Sequence, residues 1–412
     1  MTSSRLNYFG FTFLALLLST LLMAQQEEDK TIPAKKKQPY LIILSLDGFR
    51  WNYPDQIATP NLDNIAKNGV RASLQASFPT KTFPNHYSIA TGLYPDHHGI
   101  VNNTFYEPKR AVIYKIGDNS KVQDGYFYGG EPFWVTAEKQ GVKTASFHWV
   151  GTTAPIKGVL PSIYKVYSPK PTGHQKVDSL IAWLQLPIEH RPHLITWYMP
   201  EPDGVGHDFG PESEAVHRKV QELDSLVGYF MDEINKLPIS SEINIIVTSD
   251  HGMQEISSER VVLINQYLKK EYYQQILGSN PVYNIWAKKG YIDSIQYAFT
   301  QVKGIKCYSA STIPPHLHYM TNERCGDLVL LADSAYSIQM NKITIDAKEG
   351  THGYDPANSN MNAIFFAQGP AFKKQSKLVN LQNVDIYNMI CKIMNLNPAQ
   401  NDGDNDGILL LQ

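Results

Sequence analysis

The sequence predicts an α/β fold: a mainly parallel sheet flanked by helices, with an inserted α+β cap subdomain. Two observations predict the sheet. Short continuous apolar runs such as Leu41-Ile42-Ile43-Leu44 suit strands buried on both faces. Helical patterns alternate with those runs, the order that builds a parallel sheet. A third observation predicts the cap: residues 263–345 abandon the rhythm for Asn280-Pro281, Pro314-Pro315 and short alternating stretches.

The elements follow in order. Arg5, the apolar run from Phe9 to Met23 and small Ala24 read as a secretory signal over residues 1–24, with an uncleaved N-terminal anchor as the alternative. Residues 25–38, with Lys35-Lys36-Lys37, read as a solvated linker, and the main domain occupies 39–398. The first strand starts near Tyr40 and ends at Asp47-Gly48. Thr59-Pro60 opens a helix that Gly69 can stop in the left-handed conformation. A helix is expected from Pro132 to Gly141, a strand from Lys143 to Trp149 and another from Leu194 to Tyr198. Val216, Val220, Leu223, Val227, Phe230 and Ile234 step by four and three, marking a long amphipathic helix. Ile243 to Thr248 is a further buried strand. Ile364 to Ala367 and a helix from Val384 to Met394 complete the series, and 399–412 is a polar tail.

Composition narrows the function. The 412 residues carry 37 Lys+Arg against 39 Asp+Glu, a net charge of −2. Bulk electrostatic capture of nucleic acid is therefore not expected, whereas a small phosphate ester held locally remains open. Three cysteines (Cys307, Cys325 and Cys391) with no C-x-x-C pair exclude a disulfide scaffold and thiolate zinc sites. Any metal must be held by imidazoles and carboxylates.

Such groups occur in suggestive company. Asp250 and His251 follow a predicted strand, His207 lies four residues after Asp203, and His352 sits in Gly350-Thr351-His352-Gly353. With Asp47 they make three carboxylates and three imidazoles, several just past strand ends, where open α/β sheets bind ligands. Six such ligands divide into two sites of three, each with positions left for substrate, the layout of catalytic rather than structural zinc. The nucleophile candidate is Thr82, expected at the N-cap of a helix running to Thr91 with Gly92 as its stop. A helix start favours an anionic phosphoryl group.

These residues carry a resemblance. Leu44-Ser45-Leu46-Asp47-Gly48-Phe49-Arg50, Pro79-Thr80-Lys81-Thr82-Phe83-Pro84-Asn85-His86-Tyr87, Thr91-Gly92-Leu93-Tyr94-Pro95, His98-Gly99-Ile100, Glu201-Pro202-Asp203 with His207, Ser249-Asp250-His251-Gly252-Met253 and Gly350-Thr351-His352-Gly353-Tyr354 are similar to the nucleotide pyrophosphatase/phosphodiesterase family of the alkaline phosphatase superfamily. The match runs in the family's order from Pro39 to Asn397. The resemblance implies an alkaline-phosphatase-like fold and two zinc ions per chain. One would be held by Asp47, Asp250 and His251 and would touch Thr82; the other by Asp203, His207 and His352. It also implies Asn103 as a phosphate-oxygen donor and Phe83, Tyr167 and Tyr198 as aromatic substrate contacts. The implied reaction hydrolyses nucleotides or related diesters through a phosphothreonine, releasing a nucleoside 5′-monophosphate. An exported, periplasmic or secreted enzyme is expected, with a small-molecule substrate, no stable nucleic-acid partner and no membrane span once the leader is removed.

One departure bears on specificity. Nucleotide-cleaving members tend to carry Pro-Gly-Ser-Asp after the aromatic pair that aligns with His148-Trp149, where this chain reads Val150-Gly151-Thr152-Thr153. A hydroxyl stands where a carboxylate could receive an adenine amine. Phosphocholine lipids or phosphomonoesters are the alternative substrates for the same site. Asp402-Gly403-Asp404-Asn405-Asp406-Gly407 copies the opening of a calcium loop, but the bidentate twelfth position would fall beyond Gln412, so it reads as a loop only.

Overall fold

A computed structural model describes residues 37–346 and 348–412. The expected signal and nearly all of the linker lie outside the described residues. β1 (Tyr40–Leu46) is buried throughout. α1 (Pro60–Asn68) follows, with Pro60 in its first turn, and leads to β2 (Val70–Gln75). Gly69 does not take the left-handed stop expected of it: its φ is −158°. Space is the reason for glycine here, because a Cβ would stand 2.0 Å from the Ala367 carbonyl oxygen. α2 (Thr82–Thr91) ends at Gly92 with φ 68°, the left-handed cap that glycine tolerates. Thr82 is its first helical residue and Lys81, still extended at ψ 156°, is the N-cap.

The middle of the chain runs α3 (Phe133–Lys139), β3 (Thr144–Phe147) and β4 (Ile163–Lys165). Then come α4 (Gly173–Leu184), β5 (Leu194–Met199), α5 (Asp203–Phe209), α6 (Glu214–Asn235) and β6 (Ile243–Thr248). The apolar positions that step by four and three along α6 are all buried. After the short β7 (Gln254–Ile256), four strands form a separate sheet. They are β8 (Tyr273–Ser279), β9 (Val282–Ala287), β10 (Ile305–Ser309) and β11 (Leu328–Ala332), paired antiparallel in the order β8-β9-β11-β10. The helix α7 (Ile292–Phe299) buries Ile295 and Phe299 with this sheet. β12 (Glu349–Thr351) pairs antiparallel with β7. β13 (Ala363–Gln368), β14 (Ser376–Gln382) and α8 (Asp385–Ile393) complete the main layers.

The main sheet has the order β14-β2-β13-β6-β1-β5-β3-β4. All pairings are parallel except the two made by β13. Strand periodicity divides β1 between two cores: Leu41 and Ile43 face the core holding Ile89, Trp134 and Tyr387, while Ile42, Leu44 and Leu46 face that of Leu62, Leu180 and Phe230. Helices therefore cover both faces, and the fold is alkaline-phosphatase-like. Parallel order places the C-terminal ends of β1, β5 and β6 side by side.

The C-terminal segment is docked. The Asp402 carboxylate accepts from the Tyr94 N–H at 2.9 Å and lies 2.6 Å from His97 Nδ1. It pins the tail to the turn after α2 instead of opening a calcium loop. All three cysteines are free thiols.

Candidate active site

Every carboxylate singled out above follows the end of a parallel strand. Asp47 comes directly after β1, Asp250 two residues after β6, and Asp203 opens α5 beyond β5. One helical turn separates Asp203 from His207, so the two share a face, with His207 Nε2 3.5 Å from Asp203 Oδ2. β12 delivers His352, whose Nε2 lies 3.5 Å from Asp203 Oδ1. Close backbone contact holds these segments together. A Cβ on Gly350 would stand 2.2 Å from the Gly206 carbonyl oxygen, and the Gly350 carbonyl meets His207 Nδ1 at 2.8 Å.

Two clusters result. Asp203, His207 and His352 form one, and Asp47, Asp203 and His251 form the other, each with its ligand atoms within 4.8 Å of one another. The first is the trio expected. The second differs in that Asp203 reaches both groups, which makes it a bridge between them. Asp250 remains beside that group, with Oδ2 3.1 Å from His251 Nε2 and 3.3 Å from His86 Nδ1. Its other oxygen lies 3.2 Å from the Gly48 N–H that donates to it.

The donor set fits divalent cations. Buried Asp47 Oδ1, Asp203 Oδ1 and Asp250 Oδ2 have no hydrogen-bond partner, an expensive state for a carboxylate oxygen unless a cation meets it. Each imidazole gives Nδ1 to a carbonyl: His207 to Gly350, His251 to Gly252 at 2.9 Å, and His352 to Thr80 at 2.8 Å. A carbonyl can only accept, so Nδ1 carries the proton and Nε2 keeps its lone pair for the cluster, the arrangement typical of metal-binding histidines.

Electrostatics agree. Burial, together with Asp250 and Asp203, pushes the Asp47 carboxyl well above its usual range. Burial also acts to raise Asp250, but His251 and His86 outweigh it and hold that carboxyl well below. His352 is pushed well down by burial and by neighbouring His251 and Lys81. Burial lowers His251 too, yet the Asp250 contact leaves it raised. Acids crowded without matching charge are stabilised by cations.

Thr82 stands at this centre, its Oγ1 3.3 Å from His251 Nε2, at the start of a helix with no side-chain cap. Asn103 Oδ1 accepts from the Phe83 N–H at 3.0 Å, which fixes the side-chain amide and directs its NH2 elsewhere. A cavity of about 440 Å³ opens beside Thr82, Asp47 and Asp203. Phe83, Tyr167 and Tyr198 all line it, as do Thr153, Ile116 and Val122. Tyr167 and Tyr198 are tilted by 55° with centroids 6.4 Å apart. The Tyr198 hydroxyl donates to Asp47 Oδ2 at 2.6 Å.

The sequence reading overlooked three residues here. Lys81 is 3% exposed, gives Nζ to the Asn280 carbonyl at 2.7 Å and is lowered to about 7 by burial, against the pull of Asp203. His148 lines the cavity with φ 72°, a strained conformation for a residue with a Cβ. His86 touches Thr82 and Asp250 at once. Lys81 and His86 lie inside the quoted Thr82 motif, but nothing in residue type announced their contacts.

Comparison with known proteins decides the family. The sequence model of type I phosphodiesterase/nucleotide pyrophosphatase matches residues 41–355. The chain belongs to that family. As a type I phosphodiesterase/nucleotide pyrophosphatase family member it is 34% identical to mouse ectonucleotide pyrophosphatase/phosphodiesterase family member 1, over 91% of this chain and 43% of that protein. It is also 34% identical to venom phosphodiesterase CdcPDE of Crotalus durissus collilineatus, over 90% of this chain and 46% of that one. The chain thus spans less than half the length of these curated relatives. Among solved structures, murine ectonucleotide pyrophosphatase/phosphodiesterase 5 superposes with a TM-score of 0.85 at 32% identity, covering 90% of this chain and all of that one. An inactive threonine-to-alanine form of the same murine protein in complex with AMP gives 0.86, at 32% identity over 91% of this chain and 100% of its own.

Proposed function

We propose that this chain hydrolyses phosphodiester or phosphoanhydride bonds in nucleotides and related diesters, releasing a nucleoside 5′-monophosphate. The observation that carries the reading is the pair of clusters sharing Asp203 beside the Thr82 hydroxyl. The murine neighbour captured with AMP supports a nucleotide occupant of the adjoining cavity.

Two zinc ions suit this donor set, one at Asp47, Asp250 and His251 with Asp203 in reach, the other at Asp203, His207 and His352. Bound there, they would supply Lewis-acid stabilisation of charge on the attacking and leaving oxygens. Thr82 Oγ1 attacks phosphorus, forming the Oγ1–P bond as the bond to the leaving oxygen breaks. The threonine proton ends on that leaving group. Water then attacks the same phosphorus, the Oγ1–P bond breaks, and its proton restores the hydroxyl. The Asn103 NH2 and the Thr82 backbone N–H orient a non-bridging oxygen. Phe83, Tyr167 and Tyr198 give the base or head group an apolar wall that tolerates different rings. Tyr198 meanwhile holds Asp47 in one orientation.

Apolar Ile116 and Val122 in the cavity, with Thr153 in place of an acid, favour a second reading in which other head groups such as phosphocholine are accepted. Export fits the leader-like N-terminus and the names of the relatives, and no helix among the described residues is long and apolar enough to cross a membrane.

The test compares kcat/KM for a nucleoside 5′-(p-nitrophenyl phosphate), bis-p-nitrophenyl phosphate, p-nitrophenyl phosphocholine and p-nitrophenyl phosphate. The nucleotide ester is expected to lead. A monoester preferred by more than about tenfold, or turnover that survives Thr82→Ala, would overturn the reading, since losing a nucleophile costs roughly 10⁴-fold or more.

A further inference from the structure

His86 lies one helical turn beyond Thr82 on α2 and is completely buried. Its ring joins three parts of the site. Nδ1 is 3.0 Å from the Thr82 carbonyl oxygen and 3.3 Å from Asp250 Oδ2. Nε2 is 2.8 Å from Ser45 Oγ, on β1 two residues before Asp47. Trp149 and Tyr198 meet the ring edge-to-face, each at 5.2 Å between centroids, and Tyr198 is the residue that holds Asp47. Few other orientations are open to a ring held by packing on two sides and polar contacts at both nitrogens.

The partners fix the tautomer. A carbonyl and a carboxylate both face Nδ1, and neither has a proton to give, so Nδ1 carries one. Ser45 has a hydroxyl that can donate, so Nε2 can accept. The Nδ1–H thus holds the peptide of the attacking residue, with the ring seated against the strand end that supplies Asp250.

We propose that His86 is a positioning residue of the phosphoryl-transfer centre. Its Nδ1–H donates to the Thr82 carbonyl and sets that peptide beside the Asp250 carboxylate, while Ser45 fixes its other nitrogen. This rests on the phosphodiesterase reading. Its function is separable from folding, because substitutions can keep or remove single atoms. In His86→Asn the amide nitrogen can stand where Nδ1 stood; His86→Gln carries its amide further out, near the Nε2 position; His86→Phe keeps the volume without polarity.

The experiment measures three quantities on each full-length variant: zinc retained after dialysis against a graded chelator, melting temperature, and kcat and KM on the best diester. Loss of a group supporting a metal ligand typically reduces affinity by about 10–100-fold. His86→Phe and His86→Gln are expected to lose zinc at roughly tenfold lower chelator and to lose kcat by about 10²-fold with KM little changed, while His86→Asn stays within about fivefold of the parent. Zinc retention and kcat preserved in His86→Phe would overturn the proposal. So would equal losses in all three variants that follow a common fall in melting temperature, because a role in packing alone predicts them. Zinc retention needs no substrate, so a parent chain without turnover would count against the phosphodiesterase reading and leave the zinc comparison to judge His86.

Discussion

Tyr198→Phe removes one oxygen and leaves the aromatic wall of the cavity in place. That oxygen donates to Asp47 Oδ2 at 2.6 Å, while Asp47 Oδ1 is buried with no hydrogen-bond partner. The hydroxyl thus holds one carboxylate oxygen and leaves the other free to meet a cation. Hydrogen bonds to charged groups contribute about 1.5–3 kcal/mol, equivalent to roughly 10- to 150-fold in an equilibrium constant. Zinc affinity at the Asp47 group should fall within that range, while the second cluster, which Tyr198 does not support, keeps its ion. The proton competes in the same direction. Burial, Asp250 and Asp203 already hold the Asp47 carboxyl high, and the Tyr198 bond is what opposes them. Without it the carboxyl rises further, so half-loss of zinc should shift to higher pH. Elemental analysis after dialysis across a pH series reads both effects. Retention within roughly twofold of the parent at every pH would refute the argument, because a bond of this class cannot be lost so cheaply from a buried ligand.

Gly350→Ala places a methyl group into the gap occupied by the Gly206 carbonyl, 2.2 Å away; a loss of about 1–3 kcal/mol in stability is expected by denaturant titration, with zinc lost first from the His207 and His352 cluster. Asp404→Asn probes the docked tail. Burial and the Asp404 carboxylate raise Asp385 to about 6, so the folded chain holds a proton that the unfolded chain releases, and stability is lost as pH climbs from the ordinary carboxylate value through 6. With that repulsion gone, the variant should melt higher than the parent at pH 7, by about 1 kcal/mol after allowance for solvent screening, and match it near pH 4. Equal gains at both pH values would contradict this sign.

Periodicity made the main sheet legible. Ile243–Thr248 matched to the residue, and the spacing of Val216 through Ile234 announced α6, because strands buried on both faces and amphipathic helices write their environment into residue type. Gly69 was harder to read. Its composition signal was the same as that of Gly92, yet one glycine serves a left-handed turn and the other a close approach to Ala367, a distinction that depends on a strand almost 300 positions away in the chain. The candidate ligands stood out because Asp, His and short spacings announce metal chemistry. Their partition was less so: Asp203 precedes His207 by one turn, which assigns it to that trio, and only the convergence of β1, β5 and β6 brings it within reach of Asp47 and His251. If Asp203 serves both groups, the two ions are not independent. Removing its carboxylate should empty both clusters together, whereas removing His207 should empty one. A chain that kept one zinc after Asp203→Ala would show the trios to be separate, as residue spacing alone implied.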